Sequence, residues 1–534
     1  MLILSACILS ALLLVAVFPP LEWTGAAWVC LVPVMLISRN LKPLKRFYWG
    51  IGFLFWLVTL NWVRHVTYLG VVILAAYLAL YWMIWGVLWQ RWYHRLEQWS
   101  SWNNLRLAFL GATSWVALDY LRGILFSGFP WNRLGVSQYN QLPLAQLASL
   151  GGVDLITWLI VFSNAVIALT LVRFYREARK LQPVKSHWDF SVSVALVSLS
   201  FFWGIGQLKQ PTEVSESVEV ALIQGNVPQD EKFSYENERS IIERYVYYTR
   251  LAAVQSPDLI VWPETATGST FFEDITFTSE VQALLKETNC SMLVGALDYE
   301  KDHYYNAAFL LNSGEGNYQT YRKEHLVPFG EFIPGRRFMP WIVRWIPIPL
   351  DYQPGSQGSG VLTWHRKGRE IPLGVLICFE DVIPSLARAR AQEGAKVLIN
   401  LTNDGWFKNS SGAWQHALNA MFRCIETGLP MVRSANTGVS GVIDSKGRWQ
   451  HILRDSQGKK VEVEGLLRAS VKVPKIIETT WYLRGGYFFP LFCAGITGLF
   501  LAYEFYRFRR MDRVARALCP AQEVSLTNQR RRKD

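Results

Sequence analysis

Seven long apolar stretches crowd the first 205 residues, and no other feature of the chain restricts its fold so strongly. They run over 2–18, 23–37, 47–62, 68–89, 105–121, 156–172 and 190–205, and an eighth covers 487–505. A bilayer core asks for about 20 helical residues, and shorter stretches recruit flanking aromatics to reach across. The 24 tryptophans suit interfacial belts of that kind. At 51% hydrophobic and 18% charged, the chain falls short of the roughly 25% charge of soluble domains. This composition excludes disorder and a collagen-like repeat. Seven cysteines are too few to staple a fold. The first stretch lacks a basic start and a small-residue cleavage site, so it is expected to be retained. Asp119 and Asp154 fall in or beside these stretches and are expected to face the bundle interior or its mouth, since lipid contact would be costly.

The basic residues alternate from loop to loop. The second, fourth and sixth connections carry Arg39, Lys42, Lys45 and Arg46; then Arg91, Arg95 and Arg106; then Arg173, Arg176, Arg179, Lys180 and Lys185. The first connection has none, the third has Arg64, and the fifth has Arg122 and Arg133. Nine more basic residues follow Phe505. The positive-inside rule therefore puts both termini and the even loops in the cytoplasm. The net charge of +12 is read as a membrane anchor near anionic lipid, not as a nucleic-acid surface.

Between about Gln210 and Thr480 the texture changes to short strand-like runs (218–224, 259–262, 291–296, 372–378, 396–401) alternating with helix-like segments (237–255, 382–393). That alternation predicts an α/β domain of about 270 residues, large enough for its own core. Lying between the seventh and eighth apolar stretches, it is expected outside the cytoplasm. The expected division is a membrane domain over 1–207 with transmembrane helices 1–7, a catalytic domain over 208–482, transmembrane helix 8 over 483–508, and a basic cytoplasmic tail over 509–534. Cys290, Cys378 and Cys424 lie in the outer domain, and an odd number in an oxidising compartment leaves at least one thiol without an internal partner.

Three residues of the outer domain carry chemistry. Cys378 ends the apolar run 371–377 and precedes a helix-like stretch opened by Pro384. A thiol there is expected to be exposed and, in the positive field of a helix N-terminus, to favour the thiolate. Taken alone, a buried inert cysteine explains the same pattern. Glu264, in Trp262-Pro263-Glu264-Thr265, ends another apolar run; desolvation there suits a general base, although strand-end acids are commonly ordinary. Lys323, in the string YRKEHLVPFGE of 321–331, could meet a developing oxyanion or simply sit solvated on the surface. His303, His325 and His416 are too scattered for a metal site, and Gly355, Gly358 and Gly360 lack the frame of a phosphate cradle.

Together, Glu264, Lys323 and Cys378 resemble the Glu-Lys-Cys constellation of the nitrilase superfamily, which implies an α-β-β-α sandwich and acyl transfer through a thioester. Gln224-Gly225-Asn226, Asn403-Asp404 and Trp406-Phe407 extend the likeness. It implies Cys378 as nucleophile, Glu264 as base, Lys323 as oxyanion partner and Glu331 as the second glutamate. With eight membrane segments around such a domain, and with WPET, KEHLVPFGEF, CFED and RSANTGVSG in place, the chain is similar to the apolipoprotein N-acyltransferase family of bacterial inner membranes. Phe379 stands where that family usually has tyrosine before Glu380, and Phe233 where a tryptophan is expected.

The resemblance implies transfer of a fatty acyl chain from a phospholipid to the α-amino group of a diacylglyceryl-cysteine on an apolipoprotein, without a cofactor, by a multi-pass enzyme with a periplasmic catalytic domain. A tethered amidase, or a transporter or sensor with an inactive outer domain, are the rival readings. Phe379 and Glu380 are supporting residues, and Phe233, Trp406, Trp341 and Trp345 are assigned to lipid. The last two belong to the proline-broken apolar segment 338–350, expected to lie on the bilayer surface beside the site.

Overall fold

In hydrocarbon every backbone N–H and C=O must be satisfied within the protein, which leaves an apolar segment little choice but helix. The computed structural model describes residues 2–39, 44–336, 351–358, 360–476 and 479–518. Its N-terminal part forms α1 (Leu2–Ala16), α2 (Val32–Ile37), α3 (Lys45–Thr59), α4 (Tyr68–His94), α5 (Ser101–Arg122), two single turns α6 (Leu142–Ala145) and α7 (Ala148–Gly151), α8 (Val153–Ala178) and α9 (Trp188–Lys209). Thr67 and Ser100 cap α4 and α5, their hydroxyls accepting from the N–H groups of Gly70 and Asn103. Among the described residues four helices are long and apolar enough to cross a membrane: α4, α8, α9 and Phe488–Met511 near the C-terminus.

The remaining apolar stretches are also helical but do not meet that standard, for local reasons. Over 23–37 the chain is not one helix but a 3₁₀ turn, Thr24–Trp28, followed by α2, with Pro33 in the first turn of α2. The broken backbone is repaired from α8: Asn164 Oδ1 accepts from Leu31 N at 2.8 Å and its Nδ2 donates to Ala27 O at 2.8 Å. α5 carries Asn103, Asn104, Arg106, Asp119 and Arg122 within its 22 residues. The buried ones are paired inside the bundle, as with Asn104 Nδ2 donating to buried Asp189 at 2.7 Å. Asp119 pairs with Arg122 at 2.9 Å, and buried Asp154 with Arg133 at 3.0 Å, so neither carboxylate stands alone against lipid.

From Val214 the period of the sequence falls to two. β1 (Val214–Gln224), β2 (Leu259–Val261), β3 (Ser291–Glu300), β4 (His303–Leu311), β5 (Tyr318–Arg322) and the late strand β12 (Gly465–Pro474) form one six-stranded sheet in the order β12-β1-β2-β3-β4-β5. β6 (Val361–Arg366), β7 (Arg369–Ile377), β8 (Val397–Thr402), β9 (Met431–Ala435), β10 (Gly441–Ile443) and β11 (Trp449–Ile452) form the other, in the order β11-β10-β9-β8-β7-β6. The helices are α10 (Tyr235–Ala253), α11 (Ile275–Thr288), α12 (Pro384–Gln392), α13 (Gly412–Thr427), α14 (Trp481–Gly485) and α15 (Phe488–Leu518). Alternation along β1 sorts its side chains: Val218, Val220 and Leu222 pack between the sheets against Leu373, Val375 and Ile377 of β7. Ala221 and Ile223 face Ile242, Val246 and Val281 of α10 and α11. This is the α/β domain that the sequence alternation predicts, with two sheets face to face.

The outer face of the second sheet is covered by α12 and α13, and there the domain meets the membrane helices. Leu376, Leu398, Leu418 and Met421 belong to the same hydrophobic cluster as Trp62, Trp131 and Ile156. α13 is buried all round except at Trp414, although it carries Gln415, His416, Asn419, Arg423 and Glu426. Polar groups at such an interface must be paired, and Gln415 shows how. Its Nε2 donates to Pro19 O (3.3 Å) and Thr59 O (3.2 Å), and its Oε1 accepts from Trp131 Nε1 (2.9 Å), Asn132 Nδ2 (3.2 Å) and Trp62 Nε1 (3.3 Å). One amide thus ties three connections of the bundle to α13. Gln415→Leu keeps the shape but orphans these groups, and we expect a loss of about 2–3 kcal/mol, read as a lowered melting temperature in detergent against an exposed control such as Gln457→Leu.

Candidate active site

Each sheet contains three parallel strands, β1-β2-β3 and β7-β8-β9, and ligands in such sheets collect beyond the carboxyl ends. Glu264 lies three residues past β2, Cys378 follows β7 directly, and Asn226, Asn403 and Asn436 follow β1, β8 and β9. The asparagines lace the two sheets together. Asn436 Oδ1 accepts from Val227 N (3.0 Å), and its Nδ2 donates to Val227 O (2.8 Å) and Asn403 Oδ1 (3.0 Å). Gln224 donates to Gly438 O at 3.2 Å and accepts from Ser440 Oγ at 2.5 Å. The QGN and RSANTGVSG motifs are therefore two halves of one seam.

Lys323, just past β5, is 1% exposed. Its Nζ donates to Glu331 Oε1 at 2.9 Å and Glu264 Oε1 at 3.4 Å. Asn306 of β4 binds the same two oxygens, its Nδ2 standing 2.7 Å from Glu264 Oε1 and 3.0 Å from Glu331 Oε1. Glu331 Oε2 accepts from Val327 N at 2.8 Å, which closes the Lys323–Glu331 loop on itself. Burial alone disfavours the lysine's charge, but Glu331, then Glu264, outweigh it and hold the ammonium above the usual lysine range. Lys323 is a buried, permanently charged group and not a solvated surface residue.

Cys378 opens a 3₁₀ turn, Cys378–Val382, that separates β7 from α12. Its φ of 52° is in the left-handed region, a cost of about 1 kcal/mol or more for a non-glycine residue. Asn400 Nδ2 donates to Cys378 O at 3.1 Å. Glu380, fully buried, accepts from Ile377 N (2.7 Å), Glu324 N (2.8 Å), His325 N (3.0 Å) and Tyr321 Oη (2.9 Å). It fastens the cysteine turn to the lysine loop. Burial pushes the Glu380 carboxyl up, against the lowering effect of these donors. Thr265 (φ 40°) and Phe329 (φ 61°) are left-handed too, so backbone strain gathers in all three loops of the site.

The expected free thiolate is corrected. Cys378 is half-buried, not exposed. Burial pushes its thiol well above the usual cysteine value and the charge of Glu264 adds to this, while Lys323 and a hydrogen bond from Thr402 pull the other way. The 3₁₀ turn Cys378–Val382 also separates the thiol from the first turn of α12. The resting sulfur keeps its proton, so attack requires a base. Cys290 and Cys424 are buried, and every described cysteine is a free thiol.

Phe379 stacks on Trp131 (6.1 Å, 4° between planes), Phe129 (6.2 Å) and His325 (6.1 Å), joining the cysteine turn to the loop after α5. Phe233 and Trp406 are both exposed, on the turns after β1 and β8. Trp341 and Trp345 lie outside the described residues. Among the described residues no cluster of three or more His, Cys, Asp and Glu side chains could hold a metal ion.

Several groups here are silent in the sequence. Asn306 sits mid-strand, Lys232 looks like a loop lysine, and Asp381, Asp404, His416 and Arg433 are scattered along the chain. In the fold these four make a buried cluster behind the cysteine turn. His416 Nδ1 is 2.7 Å from Asp404 and Nε2 2.9 Å from Asp381, and Arg433 reaches Asp404 at 3.2 Å. A polar residue inside an apolar-flanked segment, such as His416 within α13, is the one signal that could have flagged the cluster.

Comparison with known proteins agrees with this architecture. Residues 10–166 match the family described as apolipoprotein N-acyltransferase N-terminal domain, and residues 219–463 match carbon-nitrogen hydrolase. Proteins named apolipoprotein N-acyltransferase are 33% identical in Geobacter metallireducens (82% of this chain, 85% of that one). Those of Methylococcus capsulatus (33%; 73% and 72%) and Vibrio cholerae (29%; 89% and 92%) are similar as well. A solved structure of a Saccharomyces cerevisiae nitrilase-superfamily member covers 50% of this chain and 93% of its own, at 19% identity and a TM-score of 0.37. The fold and these matches define the class, an acyltransferase of the nitrilase superfamily joined to apolar membrane helices. Within that class, the chain belongs to the apolipoprotein N-acyltransferase family.

The His416 cluster yields a pH prediction. Burial opposes the imidazolium, but Asp381 and Asp404 raise its pKa from 6.5 to about 9. A raised folded-state pKa gives stability that is fully present below pH 6.5 and lost as pH climbs through about 9, worth up to ~3 kcal/mol. The difference in melting temperature between wild type and His416→Gln is expected to shrink steadily from pH 6 to pH 9.5; a constant difference would mean that folding does not raise the His416 pKa.

Proposed function

We propose that this chain moves a fatty acyl chain from a phospholipid to the free α-amino group of a diacylglyceryl-cysteine at an apolipoprotein N-terminus, through a thioester on Cys378. The observation that carries the reading is the convergence of Glu264, Lys323 and Cys378 from three separate strand ends, with electrostatics that leave the thiol protonated beside a carboxylate and a fixed cation. Glu264 takes the thiol proton as sulfur attacks the ester carbonyl. Lys323 meets the oxyanion. Collapse breaks the C–O bond, Glu264 returns its proton to the departing lysophospholipid oxygen, and acyl-Cys378 remains. The acceptor amine then attacks the thioester, Glu264 takes the amine's proton, and the thiolate leaves with an amide formed. No cofactor is called for, because the thioester conserves the activation of the ester. Glu331 and Asn306 keep Lys323 and Glu264 in place, and Glu380 and Phe379 hold the cysteine turn. Phe233, Trp406, Trp341 and Trp345 are the side chains assigned to the lipid.

Both substrates are lipids, which suits a site mounted on the membrane helices through α13. We assign the protein to the bacterial inner membrane with eight spans, catalytic residues 208–482 in the periplasm, residues 483–508 as the last span, and both termini in the cytoplasm. The alternation of basic loops supports this orientation.

Incubation with phospholipid alone, followed by mass spectrometry, is expected to show an acyl adduct on Cys378 that a diacylglyceryl peptide amine discharges. Cys378→Ala is expected to be inert, Glu264→Gln slower by roughly 10²-fold or more, and Lys323→Met slower by a factor matching about 3 kcal/mol. Discharge to water in preference to the amine would make the chain a hydrolase, and an active Cys378→Ala enzyme would remove the mechanism.

A reporter that works only outside the cytoplasm is expected to be active when fused near Gln210 or Thr480 and silent after Arg510. The opposite pattern would turn the domain inward and away from its substrates.

A further inference from the structure

Lys232 lies in the turn after β1, a place where lysines normally reach solvent, yet it is 1% exposed. Its Nζ donates to the main-chain carbonyl of Glu264 at 2.9 Å. The same residue meets the far end of the Glu264 turn. Gly268, at φ 80°, lies so close that a Cβ there would stand 2.5 Å from the carbonyl oxygen of Lys232. Between the two contacts Thr265 is held at φ 40°. The other side of the turn rests on β3, where Ala266 N donates to Gly295 O at 2.8 Å. Gly295 is itself irreplaceable by a larger residue, since a Cβ would meet Pro263 O at 2.1 Å. Strained backbone persists only where its surroundings over-determine it, and here the surroundings are β3 on one side and Lys232 on the other.

Lys232 differs in kind from Lys323. Lys323 binds the carboxylates of Glu264 and Glu331, whereas Lys232 binds backbone. Burial pushes the Lys232 ammonium down to about 7, opposed chiefly by the charge of Glu264.

We propose that Lys232 is a positioning residue for acyl transfer: by its hydrogen bond to the Glu264 carbonyl and its packing on Gly268, it fixes the 264–268 turn and so holds the carboxylate in line with Cys378. This rests on the reading of Glu264 as the base. It also gives the turn after β1 a double role, with Lys232 pointing inward to the base while its neighbour Phe233 is exposed.

The test is single-turnover acylation of Cys378 by phospholipid, followed by mass spectrometry on the full chain in detergent, with melting temperatures recorded alongside. Lys232→Met is expected to slow acylation by about 10- to 100-fold, the scale of a misplaced catalytic group. Lys232→Gln, which keeps an N–H donor, is expected to recover part of that loss. In a Glu264→Gln background, Lys232→Met should cost less than about two-fold more, because residues that act through one another are not additive. A merely structural lysine would impose the same loss in both backgrounds, and that result overturns the proposal, as does a Lys232→Met enzyme that acylates at the normal rate. If Lys232→Met does not fold, Lys232→Gln carries the same comparison across the two backgrounds. Normal acylation by Glu264→Gln alone would overturn the base assignment and this inference with it; a slow Glu264→Gln beside a normal Lys232→Met overturns this inference alone.

Discussion

A lysine ammonium sealed between two carboxylates organises the site. Lys323 has almost no contact with solvent, so its charge must be balanced within the protein. Glu331 and Glu264 do that at 2.9 and 3.4 Å. Removing Lys323 would leave two buried carboxylates facing one another without a cation, which costs far more than a surface ion pair contributes. Asn306 bridges the same two carboxylates, and Glu380 bolts the lysine loop to the turn of Cys378. Sulfur, base and cation are therefore parts of one bonded unit, and the site is pre-organised without a metal-ligand cluster among the described residues.

The second constraint is where this unit is mounted. The helix layer of the second sheet is at once the roof of the domain and its contact with the membrane helices. α13 carries Gln415 toward the bundle and His416 toward the cysteine turn in adjacent positions. Trp131, from the loop after α5, donates to Gln415 and stacks on Phe379 next to Cys378. α13 tolerates burial on both sides because key polar side chains find partners beyond the helix: Gln415 in the bundle, His416 at Asp381 and Asp404, Arg423 at Val382 O and Glu426 at Val153 N. The proposed acyl transfer between lipids requires Cys378 to stay close to the bilayer, and this interface supplies a link to the apolar helices.

Much of this was legible in the chain. Apolar length marked the helical half, and alternation marked β1, β2, β3, β7 and β8 within a few residues. The strings around Glu264, Lys323 and Cys378 singled out three residues that the fold brings to neighbouring strand ends. Less legible was the second apolar stretch, which breaks into a 3₁₀ turn and a short helix because Asn164, distant in sequence, satisfies its backbone. The state of the Cys378 thiol is not readable from local pattern, since desolvation depends on everything packed around the sulfur. Lys232 and Asn306 carry no local signature, and the strings that hold Asp381, Asp404 and Arg433 do not tell that these residues meet at His416.

By itself, then, the sequence determined what short-range physics encodes: which segments are apolar enough to be helices in or near lipid, which alternate as strands, and which strand ends carry a thiol, a carboxylate and an amine. Tertiary structure alone decided the properties that depend on neighbours far along the chain. It buried Lys232 and Lys323 while leaving Phe233 exposed, kept Cys378 protonated, and made α13 the joint between the domain and the membrane helices. The physical reason is that periodicity is written in adjacent residues, whereas burial, charge balance and pKa are set by what long-range folding places within a few ångströms.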